Sequence, residues 1–503
     1  MAGSPSDRRF PSPERICDLY IITMLLIFPL FPGFSGYGSI TLSKYIFFLS
    51  ATGLWLLALC GSLLRSRLPL PRPGAAGIAA LVFLGLCLLS WLCSPHRAEA
   101  FLGAGRFDGL LTDLCYVLIF LGISAFARPK KLHACAFAAA ITLCGLLSLF
   151  QLAGANPLKL FPEDLSFYDS GLRYSGSYLG TIGNTNILDA VLCLALPAFF
   201  ALYVCGEGGL FLLPVLISVP TVLKAGGDGG ALALLLAAAV SLPLLLTELP
   251  RIRRALRGGA WLLLAAAFSA LWQPEPSAPL RFTRSSAALW PALGALAAFV
   301  ASLCPYPKSF APRKAGLRRF FALVTVVILL LALGFVLLSS SDSGTVFELR
   351  ETLSGHAEDG FGSSRIRIWR ACIALFPERP LLGGGPGTLA LRLDVRFSRY
   401  VPETGATLRS FVDNAHNYYL AALCDLGISG LTALLALLLL AAVSALKRAE
   451  EPLYSSAALG AFCCAVHEFF GLALCISMPL LWLCLGLLCA RRSEAVFPSE
   501  GST

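Results

Sequence analysis

AAGIAALVFLGLCLLSWLC, residues 75–93, is nineteen residues long and carries no charged side chain. As an α-helix it would be about 28 Å long, close to the roughly 30 Å of hydrocarbon in a bilayer. Backbone N–H and C=O groups in lipid need internal partners, so a run of this kind must be helical. Thirteen other apolar runs have the same character: 16–34, 45–64, 109–127, 134–153, 185–204, 209–223, 230–248, 259–272, 286–304, 320–339, 421–446, 455–475 and 477–490. The runs at 209–223 and 259–272 are short for a span and fit tilted or broken helices. Mean hydropathy is +0.77, with 57% hydrophobic and 14% charged residues. The expected fold class is an all-α polytopic membrane protein with about 12–14 spans and one large outer loop containing short helices. The first run follows Arg8, Arg9 and Arg15 and has no small-residue cleavage site after it, so it reads as a retained span.

The seventeen cysteines lie almost entirely inside apolar runs, where thiols act as small hydrophobes. Only Cys372 falls in the large polar loop, and no Cys/His spacing suits a metal, so neither a disulfide framework nor a metal site is expected. The net charge of +10 is a topology signal. With the N-terminus in the cytoplasm, 22 of the 39 basic residues fall on one side, including Arg65, Arg128, Lys130, Arg251, Arg254, Lys314, Lys447 and Arg491. No nucleic-acid partner is implied. The expected divisions are a cytoplasmic tail at 1–15, membrane helices over 16–339, an extracytoplasmic loop at 340–420, further spans over 421–490 and a tail at 491–503. Two shorter outer segments, 95–108 and 155–184, hold Arg106 and Arg173.

Within the large loop, SSRIRIWRACIALFPERPLLGGGPG (363–387) predicts a helix capped by Ser363 or Ser364 and stopped by Pro377. Arg365 and Trp369 are four apart and share a face. Arg365 fits an anion site or an amphipathic surface helix equally. The glycines at 383–387 form a turn whose N–H groups can approach an anion. DNAHNYYL (413–420) predicts the next helix start, capped by Asp413 or Asn414, with His416 in its first turn. A helix N-terminus disfavours imidazolium, which suits a general base. A capping or structural histidine is the alternative. RYSGSYLGTIGNTN (173–186) brings Arg173, Asn184 and Asn186 to a span entry, as caps or as sugar ligands. Asp228, in KAGGDGGALALL (224–235), is either an exposed turn residue or faces a cavity. His467 and Glu468 lie inside the run 455–475. Adjacent residues point about 100° apart on a helix, so they read as interhelical hydrogen-bond partners.

Four stretches in order resemble the O-antigen ligase and polymerase superfamily: Arg173 before GTIGNTN; DGGALALLL; SRIRIWRACIALFPERPLLGGGPGT; and DNAHNYYLAALCDLGISGLTALL. The resemblance implies a fold similar to the GT-C membrane glycosyltransferases, and transfer of a glycan from undecaprenyl diphosphate to an acceptor hydroxyl outside the cytoplasmic membrane. It implies no cofactor and no metal. The acceptor is a glycan, lipid or protein. His416 matches the family's loop histidine, Arg365 the arginine four before its tryptophan, and Arg173 the arginine before the Asn-x-Asn element. The family often has Ser-Arg-Gly where this chain has GGDGG, so Asp228 stands in place of a basic residue. On this reading His416 and Arg365 are catalytic. Arg173, Arg367, Arg370, Arg106, Asn184, Asn186, Trp369, Asn417 and Asp228 bind substrate. Trp369, Tyr400, Phe411, Tyr418 and Tyr419 can stack on sugar rings or simply pack the loop. A ligase, a repeat-unit polymerase and a transporter of lipid-linked sugar all fit these motifs.

Overall fold

The computed structural model describes residues 11–67, 70–160, 178–274, 280–305, 312–401 and 406–490, with short pieces at 168–169, 172–173 and 278. It is built from helices: α1 (Pro13–Ile22), α2 (Phe28–Leu30), α3 (Ile40–Ser66), α4 (Ala75–Cys93), α5 (Arg97–Leu102), α6 (Leu110–Phe126), α7 (Lys131–Leu152), α8 (Thr185–Cys205), α9 (Leu212–Ala225) and α10 (Asp228–Leu245). α11 (Leu249–Leu271), α12 (Leu289–Leu303), α13 (Lys314–Leu338), α14 (Gly344–Leu353), α15 (Phe361–Leu375), α16 (Leu389–Arg392), α17 (Tyr418–Leu446), α18 (Pro452–His467) and α19 (Met478–Leu488) complete the set.

Each of the fourteen expected runs coincides with a helix. Among the described residues, eight helices are long and apolar enough to cross a membrane: α3, α4, α7, α8, α10, α12, α13 and α17. The chain is thus a multi-pass helical membrane protein. The difference from about 12–14 expected spans has local causes. α6, α9 and α19 are shorter apolar helices. The first run breaks into α1, a π-turn at Thr23–Ile27, and α2, which contains Pro29. α11 begins at Leu249, so Arg251, Arg253, Arg254 and Arg257 occupy its opening turns instead of a loop. α18 ends at His467, well short of the expected residue 475.

α8 lies at the centre of the bundle. Its residues from Ile187 to Leu196 are all buried, and it packs chiefly on α18. Apart from the buried Asp189 this stretch is apolar on every face, and it is surrounded by neighbours. α13 is the opposite case. Only Thr325 is buried, and its hydroxyl donates to the Ala239 carbonyl at 2.8 Å. α19 plugs the core through Trp482, which stacks on Tyr116 at 5.7 Å.

The large loop is more than short helices. β5 (Arg396–Val401) and β6 (Ala406–Phe411) pair antiparallel, from Arg396↔Phe411 to Val401↔Ala406. The Arg396 guanidinium lies 5.2 Å from the Phe411 ring centroid, across that register. Two-residue strand pairs join β1 (Tyr168–Asp169) to β2 (Leu172–Arg173) and β3 (Tyr178–Leu179) to β4 (Gly183–Asn184). The loop has its own small core, where Ile368, Cys372, Leu389, Val412, Ala415 and Cys424 are all buried.

Candidate functional site

The start of α15 is a backbone device. Gly362, Ser363 and Ser364 all adopt left-handed conformations, at φ 60°, 59° and 68°, so right-handed helix begins at Arg365. Neither serine caps the helix through its side chain, contrary to expectation. A non-glycine residue held in this region costs of order 1–3 kcal/mol, and such residues cluster at functional sites. Glu348 of α14 anchors the turn by accepting the Gly362 N–H at 2.7 Å. Arg365 then folds back, and its Nη1 donates to the Gly362 carbonyl at 3.2 Å. Its Nε–H is buried and meets no acceptor among the described residues. Burial lowers the guanidinium pKa, while nearby Asp228 raises it.

His416 sits on a loop pinned from both sides. Its own φ is 50°, and its N–H donates to Asn414 Oδ1 at 3.0 Å. Ala415, fully buried, offers its carbonyl to Trp369 Nε1 at 3.1 Å. The cap of α17 is Asn417, whose Oδ1 accepts the Leu420 N–H at 3.0 Å, so His416 precedes the helix instead of lying in its first turn. The Tyr418 N–H donates to the Glu468 carbonyl at 2.9 Å, and the Tyr419 hydroxyl to the Ala465 carbonyl at 2.7 Å.

The imidazole pKa is lowered to about 4, first by burial and then by the charges of Arg365 and Arg106, with Asp413 opposing. His416 is therefore neutral near pH 7. Burial and two guanidiniums, not a helix N-terminus, lower its pKa. Arg106 reaches this loop from the 103–109 segment and pairs with Asp413, Nε to Oδ2, at 2.7 Å. Residues more than three hundred positions apart in sequence thus meet beside one histidine.

The other candidates have definite places. Asp228 opens α10, accepts the Thr345 hydroxyl at 2.8 Å, and acts electrostatically on Arg365. Asn184 caps α8 by accepting the Asn186 N–H at 2.9 Å. A Cβ built on Gly227 would lie 3.1 Å from Asn186 Oδ1 and 3.2 Å from Asp189 Oδ2, so the NTN and GGDGG motifs are in contact. Asp189 accepts the Gly227 N–H at 2.5 Å. Trp369 anchors the histidine loop and meets the Phe469 ring edge-on at 5.5 Å. Arg367 lies 5.2 Å from the Phe397 ring centroid. Arg370 is occupied by the Asp359 carboxylate and, at 2.6 Å, by the Ala357 carbonyl. The side chains of Arg173 and Tyr400 lie outside the described residues.

The glycine turn binds backbone. Gly384 N–H donates to the Cys424 carbonyl at 3.1 Å and Gly385 N–H to the Asp425 carbonyl at 2.9 Å. A Cβ on Gly383 would fall 2.3 Å from the Asp425 carbonyl carbon. The turn splices the loop to α17 at its Gly427 kink, where φ is 69°. Arg392 locks that joint by donating to Asp425 Oδ1 at 2.6 Å and to the Cys424 carbonyl at 3.0 Å.

His467 and Glu468 are buried at the end of α18, with His467 Nδ1 3.5 Å from Glu468 Oε1. Glu468 keeps helical backbone angles at the C-cap of α18, and His467 Nδ1 and both Glu468 carboxylate oxygens have no hydrogen-bond partner among the described residues, so the interhelical hydrogen bonds expected for these groups are not formed. Asp189 and Asp425 were not singled out from the sequence, and Asp413 was read only as a helix cap, whereas it pairs with Arg106. For Asp189 and Asp425, an acid inside an apolar run was the available signal. For Asp413 no local signal pointed to Arg106.

Residues 281–435 match the family model described as O-antigen ligase. That segment, under a third of the chain, is similar to the O-antigen ligase family. The match supports the O-antigen ligase/polymerase superfamily, and it contains α13, α14, α15, the β5–β6 hairpin and most of α17. Of the candidate residues, Arg365, Trp369 and His416 are inside the matched segment. Arg106, Asn186, Asp189, Asp228 and Glu468 come from helices and connecting segments before and after it. A search of curated proteins finds no match to the chain.

Proposed function

We propose that this chain is an O-antigen ligase-type glycosyltransferase. It transfers a glycan from undecaprenyl diphosphate to an acceptor hydroxyl at the outer face of the cytoplasmic membrane. The N-terminus is cytoplasmic and the large loop extracytoplasmic. The observation that carries this reading is a partly buried imidazole, its pKa lowered by desolvation and by Arg365 and Arg106, on a loop held at Ala415, Asn417 and Tyr418.

His416 takes the proton of the acceptor hydroxyl as its oxygen attacks the anomeric carbon. The bond from that carbon to the diphosphate oxygen breaks with inversion. Negative charge grows on the leaving diphosphate, and Arg365 has a buried N–H without an acceptor to direct at it. Arg106 is already bound to Asp413 and serves chiefly to hold the histidine loop and keep the imidazole neutral. Arg173 is a further diphosphate ligand in this reading. Positioned general-base catalysis contributes typically about 10²–10⁴-fold.

His416→Ala is expected to abolish glycan transfer from a lipid-linked donor in reconstituted vesicles, with expression and membrane insertion unchanged. Transfer at near wild-type rate in that variant removes His416 from the mechanism. Movement of labelled donor across the bilayer with no new glycan product identifies a transporter and overturns the enzyme reading.

A further inference from the structure

At the opposite end of the bundle from His416, α10, α17, α18 and α19 enclose an apolar crevice of about 310 Å³. Leu244, Leu438, Leu446, Leu459, Phe462 and Leu488 are among its walls. Along α18 it runs from Ser455 to Ala465, roughly 15 Å at the helical rise per residue. Ala442, Leu446 and Phe462 are exposed, so the crevice opens sideways to lipid.

A polar pocket of about 300 Å³ adjoins it, lined by Lys447, Arg448, Ser444 and the end of α19. The two share Leu488, and Lys447-Arg448 interrupt the crevice residues Leu446 and Ala449 in sequence. Cations at a helix C-terminus are ordinary capping residues, and basic residues at one end of a bundle are ordinary topology signals. Two further facts set this pair apart. Glu450, the nearest following acid, is held by Lys314 and Arg318, and no ion pair involves Lys447 or Arg448 among the described residues. Arg448 is also fixed, with its guanidinium 4.5 Å from the Tyr454 ring centroid.

We infer that this composite groove is a binding site for an anionic phospholipid, with an acyl chain in the crevice and the headgroup phosphate on Lys447 and Arg448. Uncompensated cations at the mouth of a hydrocarbon-lined slot complement a negatively charged headgroup. A zwitterionic lipid with the same chains supplies no net charge. The site is separate from the glycan-transfer centre and does not depend on that assignment.

The test uses the purified full-length protein in detergent. Retention of phosphatidylglycerol and of phosphatidylcholine with identical chains is compared by native mass spectrometry, with inorganic phosphate as a competitor. Each basic residue near a headgroup contributes about 1 kcal/mol, so two give a preference of about 30-fold for phosphatidylglycerol. Lys447→Gln/Arg448→Gln is expected to abolish the preference. Ala442→Phe, at an exposed wall position, is expected to weaken both lipids. Equal retention of the two lipids by the wild type overturns the proposal, as does a preference that survives the double substitution. Displacement of phosphatidylglycerol by millimolar phosphate also overturns it, because the site then reads a free anion.

Discussion

Trp369→Phe separates two roles that the sequence left open for this ring. If Trp369 is a platform for a sugar, phenylalanine keeps an aromatic face and most of the function. If its work is to hold the histidine loop, the indole N–H is the part that matters. That N–H donates to the Ala415 carbonyl at 3.1 Å, and Ala415 is 0% exposed. The substitution leaves this carbonyl buried without a partner, at a cost of about 1–3 kcal/mol. The edge-on contact with Phe469, at a centroid distance of 5.5 Å, can persist with the smaller ring, so packing loss is secondary. At 1.4 kcal/mol per factor of ten, the loop should open about 5- to 140-fold more often. Hydrogen exchange should report this at Leu420 and Ala421, whose N–H groups both donate to Asn417. Glycan transfer should fall by about 10- to 100-fold, because small misplacements of a catalytic group carry large rate penalties. Wild-type exchange and wild-type transfer in Trp369→Phe would refute the anchoring role.

Arg365→Gln removes a charge that holds the His416 pKa down, so the imidazole should titrate above its present value of about 4. The sign follows directly: the neutral base is lost as pH falls through its pKa, so the acid limb of the transfer rate moves to higher pH in the variant. An unmoved histidine resonance in a pH titration by nuclear magnetic resonance contradicts the coupling. Gly427→Ala should lower the thermal midpoint, because φ is 69° there and the new Cβ would fall 2.3 Å from the Leu381 carbonyl carbon. A midpoint equal to wild type would show that the α17 kink tolerates a side chain. Arg392→Met strands the buried Asp425 carboxylate and should destabilise by about 3–5 kcal/mol. Adding Asp425→Leu should recover part of that loss, and denaturation of the three proteins compares them.

The sequence determined the helical elements with little help from tertiary contacts. Residues 75–93 were expected as a span and form α4 over the same residues. In hydrocarbon each backbone group must find its partner within its own helix, so a long apolar run is a local instruction. Arg365 and His416 were picked out as candidates because their motifs lie within short stretches of the outer loop, and the structure sets them within electrostatic reach of each other. The β5–β6 hairpin was missed, because neither strand alternates cleanly: Ser398-Arg399 and Arg409-Ser410 are polar neighbours that break the period of two.

What only the tertiary structure decided is which groups meet. Arg106 reaches Asp413 from 307 positions away in sequence. Gly384 and Gly385 give their N–H groups to α17 because backbone approaches within van der Waals range there, a fact that no local pattern records. His467 and Glu468 lie buried 3.5 Å apart with no hydrogen-bond partner for the facing atoms among the described residues, a placement set by the packing around the end of α18. A span is set by the solvent around it. A site is set by side chains brought together from distant segments, and their distances exist only once the bundle has packed.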